Sequence, residues 1–392
     1  MLVSCTAPPA LAPTATNGAP RAAGERATAP NPAFASETES PQPDAEPRAS
    51  ADEQALAQAC GTSDAALVRV AARLAARAGG ADAVEVDALG YELRAAGSPY
   101  VWPRAWRFEG AEGQLEDANG RMQRWLAGFS DGGSRRCGVA LLHGPHARLT
   151  AFVVAVDVLA DLEPTPTRVR VGQWVDVRAT LRVPADAAKV VILGPRGAPH
   201  ALLTSLDHGL LQARFNADYE GTWLVQVLGA VDGGPRPLLE ALVFAGVEPP
   251  SEPLVQHAPG EDAAQALSDP RAALYQMVNA ARESERSAPL ERDARLEALA
   301  QAHAEAMRRV QKTAHDTGDG DLNQRLANAG LELQAGENVA HAASASLAQR
   351  ALWSSPSHRE NLLFPDFDVV GIGVAPDSDG TLWICELFAV AK

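Results

Sequence analysis

The sequence predicts an α+β multidomain protein, and three observations lead there. A chain of 392 residues exceeds what one hydrophobic core sustains, and at 46% apolar content it can build two to four. The apolar spacing is helical near both ends of the chain and strictly alternating in its middle. Proline-rich stretches separate these blocks. The divisions expected are a tether over 1–50, an α+β domain over 51–163, an all-β domain over 164–248, a linker over 249–268 and a second α+β domain over 269–392.

The tether begins with Leu2-Val3-Ser4-Cys5, which has the form of a lipobox whose cysteine receives lipid after cleavage. Only Met1 precedes it, so no charged or apolar leader of ordinary form stands before it, and a start codon placed too late is the expected reason. A chance occurrence of the tetrapeptide is the other reading. Between Thr6 and Ser50 lie nine prolines among Ala, Thr and Ser, a composition that buries too little apolar surface to offset its ordering entropy. Cys60 and Cys137 flank the first domain and are a candidate disulfide pair in an oxidising compartment. Cys385 sits in an apolar run and reads as a small buried hydrophobe.

In the first domain, Leu67, Val68, Ala71, Ala72, Leu74 and Ala75 recur at helical spacing, a helix carries Trp125, and two strand-like runs, 137–142 and 149–156, flank a turn at Gly144-Pro145. The third block alternates apolar and polar residues in Val175–Val183, Lys189–Leu193, Leu211–Phe215, Trp223–Val227 and 239–244, with Gly and Pro turns about every ten residues. That pattern predicts a β-sandwich of immunoglobulin-like type, and Asp218–Val227 resembles the penultimate-strand region of bacterial modules of that kind.

The last block opens with Asp269 as a helix cap and Pro270 at the first helical position, above an apolar stripe of Leu274, Met277, Val278 and Ala281. A second helix puts Leu296, Leu299, His303, Met307 and Val310 on one face, which makes His303 a core residue. There follow Ala314-His315, Gly336-Glu337-Asn338-Val339-Ala340, the run Leu352 to Leu362 containing Trp353, Pro356 and His358, the strand Gly371-Ile372-Gly373-Val374, and Leu382–Phe388. Taken in order, these blocks resemble the CAP superfamily, also called SCP/PR-1-like, in its small bacterial form. The resemblance covers about a third of the chain. It implies a three-layer α-β-α sandwich with a solvent-accessible cleft lined by His315, Glu337 and His358.

His315 has a reading of its own, since the polar loop Thr313–Gly320 gives no packing reason for an imidazole. Arg359 and Asn361 are expected to brace the loop after Pro356. Two departures from the family pattern stand out: Ser354-Ser355 where larger members carry a second glutamate, and Glu386 where an amide is usual. Glu386 is compatible with adding a carboxylate to the cleft or with facing solvent. The order helix, Trp helix, hairpin in both α+β domains leaves two readings of 51–163, a diverged copy of the last domain without its polar set or an unrelated fold.

The net charge of −15 argues against nucleic acid and anionic membrane surfaces as partners. Contact with a membrane is expected only through a lipid on Cys5, in the cell envelope or outside the cell. Two functions fit. One is a binding or adhesion module whose cleft takes an extracellular peptide, glycan or lipid. The other is a metal-assisted amide or ester hydrolase, with Glu337 as general base and His315 and His358 holding Zn²⁺. The 43 residues between the two histidines match no compact zinc signature.

Overall fold

The computed structural model describes residues 2–3, 50–77, 86–127, 134–231, 234–250 and 257–391. Cys5 and the tether from 6 to 49 lie outside the described residues. The described strands form four sheets: two make the central domain, and each α+β domain is built on one. Residues Leu2–Val3 (β1) pair antiparallel with Val339 and Ala340 of the last domain.

The first domain comprises α1 (Ala51–Cys60), β2 (Thr62–Ser63), α2 (Ala65–Arg77), α3 (Val86–Ala95), β3 (Arg104–Ala111), α4 (Leu115–Leu126), β4 (Ser134–Gly144) and β5 (Arg148–Val158). Ser50 and Glu53 form a reciprocal capping box at the start of α1. Cys60 at the end of α1 is disulfide-bonded to Cys137 on β4, with Cα atoms 6.1 Å apart. The sheet order is β2-β4-β5-β3. Helix α2 lies so close to β4 that a Cβ built on Gly138 would stand 2.0 Å from the Leu67 carbonyl carbon.

The central domain is a two-sheet β-sandwich. One sheet holds, in order, β10 (His200–Ala201), β9 (Ala187–Leu193), β13 (Gly221–Val231), β14 (Gly234–Ala245) and β7 (Arg168–Val169); the other holds β11 (Thr204–Asp207), β12 (Leu210–Ala217), β8 (Gln173–Leu181) and β6 (Ala160–Leu162). Period-two alternation sends Val175, Val177 and Ala179 of β8, and Val225 and Val227 of β13, into one shared core. Because β6 pairs with β8, the domain begins near residue 160, a few residues before the boundary expected at 164. The chain passes from β5 into β6 almost without a break, so no turn signal marks the crossing.

The last domain has the three layers expected. Its sheet, β1-β16-β18-β17-β15, is built on β15 (Glu291–Arg292), β16 (Ala335–Ala342), β17 (Val369–Pro376) and β18 (Leu382–Ala389). Helices α6 (Pro270–Ser284), α9 (Ala345–Ser354) and α10 (Pro356–Leu363) cover one face, and α7 (Ala294–Val310) and α8 (Leu322–Asn328) the other. Leu274, Trp353, Val370 and Ile372 lie in the first core and Trp383 in the second, with Leu299 partly buried beside it. Val310, placed by its spacing on the buried face of α7, is 49% exposed because the helix ends there in a left-handed Gln311. Arg359 and Asn361, expected in a loop, sit on α10, since Pro356 both ends α9 and opens a new helix. Part of the expected linker is structured: α5 (Glu261–Ala264) carries a buried Glu261 that pairs with Arg350 of α9.

The two α+β domains share a strand order, since β2-β4-β5-β3 repeats β15-β17-β18-β16. In each, a two-residue strand runs parallel to the third strand and leads into an aspartate, Asp64 or Asp293. That aspartate donates its N–H to the third strand and caps the following helix with its side chain. The helix then rides on glycine, Gly138 in one case and Gly371 and Gly373 in the other.

Candidate functional site

The polar loop from Thr313 to Gly320 folds onto itself through its aspartates. Asp316 accepts from the N–H groups of Gly318 and Gly320, Asp319 accepts from Thr317, and both glycines have positive φ. His303 of α7 anchors it, with Nδ1 2.9 Å from Asp319 Oδ2 and Nε2 2.9 Å from the Ala314 carbonyl, fully buried as its place on the core face implied. Burial would raise the Asp319 carboxyl, but its bond to His303 keeps it below the ordinary value. The loop thereby holds His315 against β16.

His315 Nδ1 lies 2.6 Å from Glu337 Oε1, and the other carboxylate oxygen accepts from Arg325 Nη2 at 2.6 Å. The same guanidinium donates to the carbonyls of His315 and Gly320, so Arg325 fixes both the loop and the carboxylate. All three side chains are at most 6% exposed. Burial pushes Glu337 up, yet the Arg325 guanidinium, with His303 and His315, outweighs it and holds the carboxyl far below its ordinary range. The Cys385 thiol, 3.5 Å from Glu337 Oε2, is pushed well up by burial and by that neighbouring carboxylate. It is no nucleophile in this setting.

A carboxylate fixed in this way sets the imidazole tautomer. With Nδ1–H donated to Glu337, a neutral His315 presents its Nε2 lone pair outward. That Nε2 is buried and has no hydrogen-bond partner.

His358 sits on α10, 1% exposed, and the link shown to the pair is a main-chain one: its carbonyl accepts from Asn338, next to Glu337. Asn361 donates to the Glu337 carbonyl and to Asn338 Oδ1, bracing α10 on β16. Arg359 stacks on Trp353 at 3.6 Å and pairs with Glu285. Glu386 joins neither cleft nor solvent. Paired with Asn338 across β16 and β18, it points to the sheet face opposite Glu337 and is fully buried there. Burial pushes its carboxyl up to about 8.

Three sequence expectations are corrected. The site is closed: His315 and Glu337 are 0% exposed. Over His315 stands the β13–β14 hairpin, where a Cβ on Gly234 would lie 3.0 Å from the His315 Cβ. Glu337 is unavailable as a general base, because both oxygens are engaged and its proton affinity is low. A zinc site at His315 and His358 does not fit, since the carboxylate beside His315 is held by Arg325 and no group of three His, Cys, Asp or Glu among the described residues is arranged to hold a metal. Arg325, missing from the expected site, carries no motif in the sequence; an arginine in Asn323-Gln324-Arg325-Leu326 looks like any exposed helical cation.

Residues 275–387 match the family model described as the Cysteine-rich secretory protein family, CAP. The C-terminal domain is a CAP domain. Among solved structures, this CAP-domain protein is similar to an outer surface protein of Borrelia burgdorferi, at 23% identity over 32% of this chain and 95% of that one, with a TM-score of 0.31. It is also similar to an extracellular SCP-domain protein of Bacillus anthracis, at 16% identity over 59% and 88%, with a TM-score of 0.29. A cysteine-rich secretory protein of Staphylococcus aureus follows at 12% identity over 59% and 86%, with a TM-score of 0.27. No curated protein matches the sequence. Among the described residues no helix is long and apolar enough to cross a membrane.

Proposed function

We propose that the protein is an extracytoplasmic binding module whose CAP domain takes a peptide or glycan at His315. The observation that carries this is the partnerless, buried Nε2 of His315, whose Nδ1 lies 2.6 Å from Glu337 Oε1. Such a nitrogen makes one hydrogen bond, accepting in the neutral ring and donating in the protonated one, which suits an amide or a sugar hydroxyl and does nothing for a hydrocarbon chain. The Cys60–Cys137 disulfide supports an oxidising compartment, and Cys5 with its proline-rich tether supports a lipid anchor in the envelope.

In this reading the sandwich is an immunoglobulin-like spacer and the first domain a second, site-less CAP copy. The matching strand orders support the copy, and so does the register. The row Gly371, Leu387, Glu337 corresponds to Gly138, Val154, Ala105, so alanine stands where the site carboxylate would be.

Titration of protein carrying ¹³C-labelled histidine with short peptides and amino-sugar oligosaccharides tests the proposal. One class should shift the His315 ring signal, and His315→Ala should abolish saturable binding. Undiminished binding by His315→Ala would remove the site. The same Nε2 is also where a general base would act, so amide or ester turnover by wild type but not by His315→Ala would favour hydrolysis over binding.

A further inference from the structure

We infer that the central sandwich is an intramolecular plug of the CAP site, so that His315 is reached only after the sandwich moves off α10. The inference rests on the proposed role of His315, but its test reads cover rather than ligand.

The plug touches the site at a backbone position. Val231 and Gly234 close the β13–β14 ladder, and Gly234 has φ +104, a conformation that side-chain-bearing residues rarely adopt. A Cβ there would stand 3.0 Å from the His315 Cβ and 3.3 Å from Cδ2. Only a residue without a side chain fits this close to the imidazole whose Nε2 lacks a partner.

The sandwich also completes a helix that cannot finish itself. Ser355 stands at the N-cap of α10 without making a side-chain cap bond, and Pro356 follows it. The N–H of Ser357 donates instead to Gln226 Oε1 of β13, 3.1 Å away. Gln226 is fully buried, and its Nε2 donates to Glu240 Oε1 at 2.7 Å and to Ser355 Oγ at 3.4 Å. Glu240 is in turn paired with Arg94 of the first domain. Lys189 of β9 pairs with Glu360 of α10 at 2.8 Å, with both side chains partly exposed. These bonds seat the sandwich on the helix that carries His358. Each is polar, and water can take either partner's place once the surfaces part.

Diethylpyrocarbonate modification of the full chain, read residue by residue by mass spectrometry, tests this. His208, whose side chain is 95% exposed, is the internal reference. In the wild type His315 should react at least about tenfold more slowly than His208, as expected of a group shielded by a closed state. The double variant Lys189→Glu with Gln226→Ala, checked by small-angle scattering for a larger radius of gyration, should raise the His315 rate about tenfold or more. If that variant fails to fold, Lys189→Glu alone decides, read in the same way, since it sets a carboxylate against Glu360 of α10. Equal rates at His315 and His208 in the wild type would overturn the inference. So would continued protection of His315 in a variant whose radius of gyration has grown, because the CAP domain's own loops would then be the cover.

Discussion

At Glu386 a single carboxyl is placed where its ionisation opposes folding. Its folded value of about 8 lies above the ordinary 4.5, so between those pH values the folded chain holds a proton that the unfolded chain has released. Stability from this group is therefore greatest below about pH 4.5 and is lost as pH rises towards 8. Glu386→Gln, which keeps the shape and the bond from Asn338, should gain on the wild type by roughly 3 kcal/mol between pH 4.5 and pH 7 in urea melts. A gain that does not depend on pH would show that Glu386 ionises in the folded chain as readily as in the unfolded one. Glu337 has the opposite sign. Its lowered value stabilises the fold above the ordinary carboxylate range, and that stability fades as acid is added. Arg325→Met should cost about 3–5 kcal/mol, because it strands a buried carboxylate, and Arg325→Met with Glu337→Gln should recover much of the loss.

At the scale of elements, glycine decides how closely helix and sheet approach. A Cβ on Gly373 would lie 2.2 Å from the Ala300 backbone of α7, so Gly373→Ala should destabilise the CAP domain by about 1–3 kcal/mol or more. Gly120 in α4 has nothing within 4 Å of a built Cβ, and Gly120→Ala should stabilise by about 0.5–1 kcal/mol through helix propensity. Thermal melts of the two variants should move in opposite directions. The strands and helices of the CAP domain were legible because their periods and caps are local. Asp269 does cap α6, and Pro270 does open it. The α9–α10 break looks like a loop in the sequence because Pro356 is equally good at ending one helix and starting another.

For the whole molecule, the Cys60–Cys137 bond joins the end of α1 to the central strand β4 across 77 positions. Closing a loop of that length in the unfolded chain is worth about 4 kcal/mol in the chain-entropy model. Reductant, or Cys60→Ser with Cys137→Ser, should lower the unfolding midpoint of the first domain and leave the CAP domain's transition in place. A single transition that shifts as one would instead show that the polar seam through Arg94, Glu240, Gln226 and Ser357 couples all three domains.

Composition and pattern by themselves separated the folded blocks, while the layer architecture of the last one and the association of His315 with Glu337 came from its resemblance to the CAP superfamily. Caps, alternation and motif order are written over a few residues, where the chemistry of one short stretch suffices. Only the tertiary structure decided that Arg325 claims Glu337, that Glu386 faces the far side of the sheet, and that a glycine from the sandwich closes over His315. Those outcomes depend on residues from 12 positions apart, as in Arg325 and Glu337, to 81 apart, as in Gly234 and His315, meeting across layers and domains. The free energy that sets them is the desolvation and pairing of buried charge, which no local stretch of sequence contains.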